Sequence, residues 1–247
     1  MSNKLLKVTD SLVNTVIVCL LCIGSLYLAY SIWDNQQVLA EAQSMQDDLL
    51  KLKPDRSASF AELKKINEDV IAWLEINNTN IDYPVVQGKD HRQYLNKDVY
   101  KDYALAGSIY LDSRNAADFS DPYNLIYGHH MAEHRMFGDL SLFLDEKFFE
   151  KNKTGKLIVE GGTYPLTILA VMETVDTDQN IFDPTVYTPG GQTVYPYIES
   201  SSTFLHPEEL EEAVSQNRRV AALTTCAAED KARTVVLASL GEFQPAN

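Results

Sequence analysis

Val70-Ile71-Ala72-Trp73-Leu74-Glu75-Ile76 and Ile81-Asp82-Tyr83-Pro84-Val85-Val86 flank the turn-forming pair Asn77-Asn78. Both runs are rich in β-branched and aromatic residues and too short for stable helices, so they predict strand, turn and strand. Further runs of the same kind follow at Gly107–Leu111, Asn124–Tyr127, Lys156–Glu160, Tyr164–Met172, Arg219–Thr225 and Thr234–Leu240. Many short strands with few helices predict a mainly β domain, a closed barrel or a sandwich. Two helices interrupt the pattern. Ser59-Phe60-Ala61-Glu62 fits a capping box ahead of Leu63 and Ile66, and Pro207–Ser215 opens with Pro and a run of Glu that suits a helix N-terminus. The long excursion from Asp176 to Asn217, which contains that second helix, is expected to form a substrate-binding wall.

Upstream of the strands the chain changes character. From Ser11 to Trp33 it runs 23 residues without a charge. As a helix this stretch is roughly 34 Å long, against about 30 Å of hydrocarbon in a bilayer. It also exceeds the apolar core of a cleaved signal peptide, about 7–15 residues, and no small-x-small cleavage site follows, so a retained membrane span is expected. Lys4 and Lys7 precede it, while Asp34, Glu41, Asp47 and Asp48 follow, which predicts a cytoplasmic N-terminus and an extracellular remainder. Val38, Ala42, Met45, Leu49 and Leu52 then recur at helical spacing up to Lys53, ahead of Pro54. The expected organisation is a cytoplasmic tail over 1–10, a transmembrane helix over 11–33, a juxtamembrane helical linker over 34–56 and a catalytic domain over 57–247.

The balance of 21 Lys+Arg against 35 Asp+Glu, a net charge of -14, excludes a phosphate-tracking nucleic-acid binder, which needs clustered basic residues. A 10% aromatic and 45% hydrophobic composition excludes wholesale disorder. Of three cysteines, Cys19 and Cys22 fall inside the span and read as small apolar residues, which leaves Cys226 alone in the exported part. An unpaired thiol outside the cell is either buried and inert or kept for its reactivity.

Cys226 ends the β-type run Val220-Ala221-Ala222-Leu223-Thr224-Thr225, where a strand opens into a loop. A thiol nucleophile needs a proton-transfer partner, and histidine is the usual one. Three of the five histidines fall in Tyr127-Gly128-His129-His130-Met131-Ala132-Glu133-His134, with His129 placed at a strand end beside Gly128. His91 and His206 are expected at the surface. His130 and His134 with Glu133 give a competing metal reading, but the spacing is not His-Glu-x-x-His and no third ligand lies nearby. Arg233 stands seven residues after Cys226 at the head of Thr234-Val235-Val236-Leu237. If the two strands form an antiparallel hairpin through Ala227–Ala232, both residues face one cleft, and Arg233 is positioned to stabilise an oxyanion.

With these residues in place the chain resembles the sortases, specifically class B. The resemblance covers roughly Phe60 to Leu240 and rests on five ordered blocks: Ile66–Leu74, Ile81–Gly88, Ala106–Asp112, Tyr127–Met131, and Leu223–Cys226 followed by Arg233. It implies an eight-stranded sortase-type β-barrel with additional helices, preceded by one N-terminal transmembrane helix. It further implies catalytic His129, Cys226 and Arg233, with Thr224, Thr225 and His130 at the substrate, and no metal or cofactor. Three departures stand out: His130 occupies a position that is usually Asn in class B, Ala222 replaces the Thr that commonly opens the Thr-Leu-x-Thr-Cys motif, and the Cys-to-Arg loop is short.

The reaction implied is cysteine transpeptidation. A C-terminal sorting pentapeptide is cleaved after Thr through a thioacyl-enzyme, and the protein passes to an amine on a cell-wall peptide or on a pilin Lys. The implied partners are surface proteins or pilins carrying such a signal, the amine acceptor, and the lipid bilayer at residues 11–33. Two other functions fit the same residues. A hydrolytic cysteine peptidase would pass the thioacyl to water, and a non-enzymatic membrane-tethered binding domain would keep Cys226 buried.

Overall fold

The computed structural model describes residues 3–54, 60–226 and 232–246, with the backbone alone at 3–7 and 226. The chain divides into two compact units, Met1–Glu41 and Ala42–Asn247. The described residues of the first, from Asn3 on, are helical and belong to α1, Asn3–Leu50. Leu12, Ile17, Leu21, Ile23, Leu26 and Leu28 are all exposed on it, so this part of the helix is apolar on every side and lacks a protein core to face. Long and apolar enough to cross a membrane, it fits an anchor. No break separates the predicted span from the predicted linker helix. The helix ends at Leu50, and the chain turns at Lys51 and Leu52 before reaching Pro54.

The second unit begins with the end of α1 and α2, Phe60–Ile66. The capping Ser59 lies outside the described residues. Strands β1 (Val70–Ile76), β2 (Asp82–Val86), β3 (Ile109–Leu111) and β4 (Tyr123–Met131) follow, and β4 makes a short hairpin with β5 (Arg135–Met136). A 3-10 segment at Gly138–Leu144 and α3, Glu146–Lys151, lead into β6 (Thr154–Val159) and β7 (Gly162–Thr174). The excursion after β7 is largely ordered into short pieces: α4 (Gln179–Phe182), a 3-10 turn at Pro184–Val186, α5 (Tyr195–Ser201), β8 (Phe204–Leu205) and α6 (Pro207–Ser215). Strands β9 (Val220–Cys226), β10 (Arg233–Leu240) and β11 (Gln244–Pro245) complete the fold.

Eight strands close into a barrel in the order β10-β9-β4-β3-β2-β1-β6-β7, and β10 returns to pair with β7. Closure removes the sheet edges that an open arrangement would leave unpaired. Two neighbouring pairs, β2 with β3 and β4 with β9, are parallel, and the remaining barrel pairs are antiparallel.

Period-2 alternation sorts the side chains. Leu74, Val85, Ile109, Ile126, Leu157, Ile168, Leu223 and Val236 fill the interior. The outer face carries two covering layers. Trp73, Val86 and Tyr110 are capped by Phe60, Leu63, Tyr94 and Leu49, whereas Leu125, Val220, Ala222, Val235 and Leu237 lie under Tyr187, Tyr195, Ile198 and Leu210 from the excursion.

An ion cluster fastens the segment after α1 to the barrel. Lys53 is 2% exposed, and its Nζ contacts Glu75 on β1 and lies 2.8 Å from Asp82 on β2, which also accepts from Trp73 Nε1 at 2.5 Å. Burial alone would raise the Glu75 pKa, but Lys53 and Lys156 more than offset it and hold the carboxyl below its ordinary value. The stability that Glu75 contributes is therefore present above its unfolded pKa, about 4.3, and is lost as the pH falls through the lower folded value. Replacing Lys53 with Ala leaves half-buried Asp82 without its ammonium and Glu75 with Lys156 alone. It is expected to lower unfolding stability by about 3 kcal/mol at neutral pH, with a smaller loss in acid, as checked by urea titration at both pH values.

Candidate active site

The three residues singled out for chemistry come from adjacent strands at one end of the barrel. In the parallel β4–β9 ladder, His129 is the register partner of Cys226. Neighbouring strands lie about 4.8 Å apart, and opposed residues fall on the same face of a sheet. Strand β10 runs antiparallel to β9 with Val235 opposite Thr224, and two residues further back Arg233 comes level with Cys226. The side chain of Cys226 and the Ala227–Lys231 loop lie outside the described residues.

His129 is half-buried and sits two residues before the end of β4 rather than at its terminus. The alternation that sends Ile126 inward carries Tyr127 and His129 to the outer face. Gly128 between them is held to glycine by space, since a Cβ there would lie 2.4 Å from Ile109 Cδ1 and 2.8 Å from the Phe137 ring. His129 Nε2 is 2.6 Å from the carbonyl oxygen of Leu95. A carbonyl only accepts, so the hydrogen sits on Nε2, and Nδ1 is the nitrogen left to exchange protons. No side-chain pattern signals this partner in the sequence, because the contact uses the backbone.

The Leu95 carbonyl is itself set by Gly107, whose φ is +58°. A Cβ on Gly107 would stand 2.3 Å from that oxygen and 2.9 Å from the Tyr94 oxygen. The Ala106-Gly107-Ser108 stretch thus needs glycine twice, for its left-handed backbone and for the close passage of the carbonyl that holds His129.

Arg233 is reached from the other covering layer. Nη1 donates to the Thr225 carbonyl at 3.2 Å, Nη2 pairs with Asp176 Oδ2 at 3.2 Å, and the guanidinium lies 5.7 Å from the centre of the Phe182 ring. Its Nε is buried without a hydrogen-bond partner among the described residues. Buried N–H groups without a partner are rare in folded proteins. The site therefore lies at the seam between the two outer layers, with Leu95 on the His129 side and Asp176 and Phe182 on the Arg233 side.

Other expectations fare differently. Thr224 and Thr225 are both buried; Thr225 alternates toward the interior and its tie to Arg233 is through backbone oxygen, whereas Thr224, opposite Tyr127 on the outer face, has its Oγ1 buried without a hydrogen-bond partner among the described residues. His130 is exposed. His134 does not join it: Nδ1 lies 2.5 Å from Asp139 Oδ1 and so fastens the β4–β5 turn, where Glu133, His134 and Met136 all adopt positive φ. Among the described residues no group of three His, Cys, Asp or Glu is gathered as a metal site. His91 is exposed as expected, but His206 is not at the surface. It is 2% exposed, stacks on Phe149 with ring centres 4.0 Å apart, and burial pushes its pKa down. Its position at the head of α6, packed against α3, accounts for this burial.

No family model matches the chain. Sortase B of Listeria monocytogenes is 33% identical over 212 residues, covering 83% of this chain and 85% of that protein. The structure of Clostridium perfringens sortase B superposes with a TM-score of 0.65 at 32% identity, over 74% of this chain and all of that one. That of a Streptococcus pyogenes class B sortase involved in pilus biogenesis does so with a TM-score of 0.64 at 33% identity, over 76% and 100%. With closed barrel, apolar N-terminal helix and whole-domain similarity in agreement, the chain belongs to the class B sortases and is a sortase enzyme.

Proposed function

We propose that Cys226, His129 and Arg233 carry out transpeptidation on a C-terminal sorting signal. The observation that carries this reading is the register that sets the three level on β4, β9 and β10 at one end of the barrel. The Cys226 thiol gives its proton to His129 Nδ1, and the sulfur attacks the carbonyl carbon of the threonine in the signal. Arg233 and nearby backbone N–H groups stabilise the resulting oxyanion. His129 returns the proton to the departing amine as the C–N bond breaks, which leaves a thioacyl-enzyme. An amine of a cell-wall peptide or a pilin lysine then attacks, gives its extra proton to His129, and releases the thiol. The apolar helix over 11–33 holds the enzyme in the membrane, with residues 1–10 cytoplasmic, 34–56 as juxtamembrane linker and 57–247 outside as the catalytic domain.

The test uses the full chain in detergent with a library of sorting peptides. Mass spectrometry is expected to find the fragment ending in threonine bound to Cys226, and an added amine is expected to divert it into an amide. Hydrolysis unaffected by amine would instead identify a peptidase. Absence of any acyl-enzyme, together with slow labelling of Cys226 by a thiol reagent, would identify a binding domain.

The histidine support makes its own prediction. Gly107→Ala forces a left-handed alanine against the Leu95 carbonyl, so the acceptor of Nε2 must move. We expect kcat to fall about tenfold with KM little changed, alongside a stability loss of about 1–3 kcal/mol, read from steady-state kinetics and thermal unfolding.

A further inference from the structure

A second arginine stands behind the seam. Asp112, just past β3, is fully buried, and a carboxylate so placed requires a close partner. Arg114 supplies it in a fork, Nε to Oδ1 at 2.9 Å and Nη2 to Oδ2 at 2.8 Å, while its own backbone N–H also donates to Oδ1 at 2.9 Å. Tyr127 Oη donates to Oδ2 at 3.3 Å, two residues before His129 on the same face of β4.

The outer half of the guanidinium turns the other way, onto the excursion after β7. Nη2 donates to the Phe182 carbonyl at 2.7 Å and Nη1 to Asp183 Oδ1 at 3.3 Å. Phe182 is the residue whose ring lies against Arg233. Asp183 in turn caps the 3-10 turn at Pro184–Val186 by accepting from the Thr185 N–H. A plain buried ion pair would need only Asp112. Two further N–H groups are spent on the wall, at Phe182, which meets Arg233, and at Asp183 next to it.

We propose that Arg114 is a positioning residue that pins the wall segment 178–187 to the end of β3 and thereby sets affinity for the sorting peptide. The inference rests on the transpeptidase reading for what the wall binds, and on the geometry alone for the pin. Lysine keeps the charge against Asp112 but has no fork with which to reach Phe182 and Asp183 as well. In Arg114→Lys we expect KM for the peptide selected by acyl trapping to rise about tenfold while kcat stays within about twofold. Alkylation of Cys226 by iodoacetamide should be unchanged, and amide exchange across residues 178–187 should quicken about tenfold. Asp183→Ala, which leaves the buried Asp112 pair intact, should shift KM the same way by about threefold.

The measurements are made on the full chain in detergent. A fall in kcat with KM unchanged, or wild-type KM and exchange in Arg114→Lys, would overturn the pin. If Arg114→Lys does not fold, Asp183→Ala decides, and an unchanged KM there overturns it. A wild-type chain that accepts no sorting peptide would count against the transpeptidase reading itself. The exchange measurement then decides the pin alone, and unchanged protection across 178–187 overturns it.

Discussion

Replacing Cys226 with alanine is expected to abolish acyl-enzyme formation and to lower turnover by at least about 10⁴-fold, to the background of the assay. The size of the effect follows from the chemistry. With the sulfur gone, no group remains at that register position to form the thioacyl bond, and His129 and Arg233 have no step left to assist. Serine in its place keeps a proton to transfer but is a far weaker nucleophile, so Cys226→Ser should be nearly as inactive. Intact-mass spectrometry after incubation with a trapped sorting peptide reads the result directly. Turnover retained in Cys226→Ala would remove the assignment, whatever the family likeness.

The second large effect is expected at Arg233. Its guanidinium is anchored on both sides, by the Thr225 carbonyl and by Asp176, with Nε buried and without a partner among the described residues. A donor held in this way is worth most when charge develops on the oxygen it faces. Arg233→Met should therefore lower kcat about 10²- to 10³-fold, with a smaller change in KM. Arg233→Lys should recover only part of this, since the three N–H groups of an ammonium radiate from one nitrogen and lack the planar spread that lets the guanidinium reach Thr225 and Asp176 while Nε points elsewhere. The check is the separation of kcat from KM on one peptide. A loss confined to KM would reassign Arg233 to substrate binding.

Much of this arrangement is legible in the sequence, and the parts that are not share physical causes. The β9–β10 hairpin reads directly, because a strand ending in Cys226 and one starting at Arg233 are joined by a short connection. Helix α6 is equally plain, with Pro207 and a run of Glu at its start. The neighbouring α4 and α5 are not, because four and seven residues are too few to establish a period. The parallel pairing of β4 with β9 joins elements far apart in the chain, and no local pattern encodes it. The Leu95 carbonyl that holds His129 is backbone, the same in every residue type. His206 looks like a surface residue because a histidine in a polar stretch carries no mark of the Phe149 ring that will cover it. Phe182 and Arg114 draw their significance from meeting each other across the seam, which only the folded chain reveals.

The parallel β4–β9 ladder also governs when His129 and Cys226 come together. All of β5 through β8 lies between His129 and Cys226, so their meeting waits on a long loop closure. Strands β9 and β10 are the last barrel strands synthesised, and β10 seals the barrel by pairing with both β9 and β7. A chain emerging N-terminus first has its histidine folded into no site until its final strands arrive. On the proposed roles, the thiol would then be matched with its base in the same event that completes the barrel, and a half-made chain would hold no assembled site.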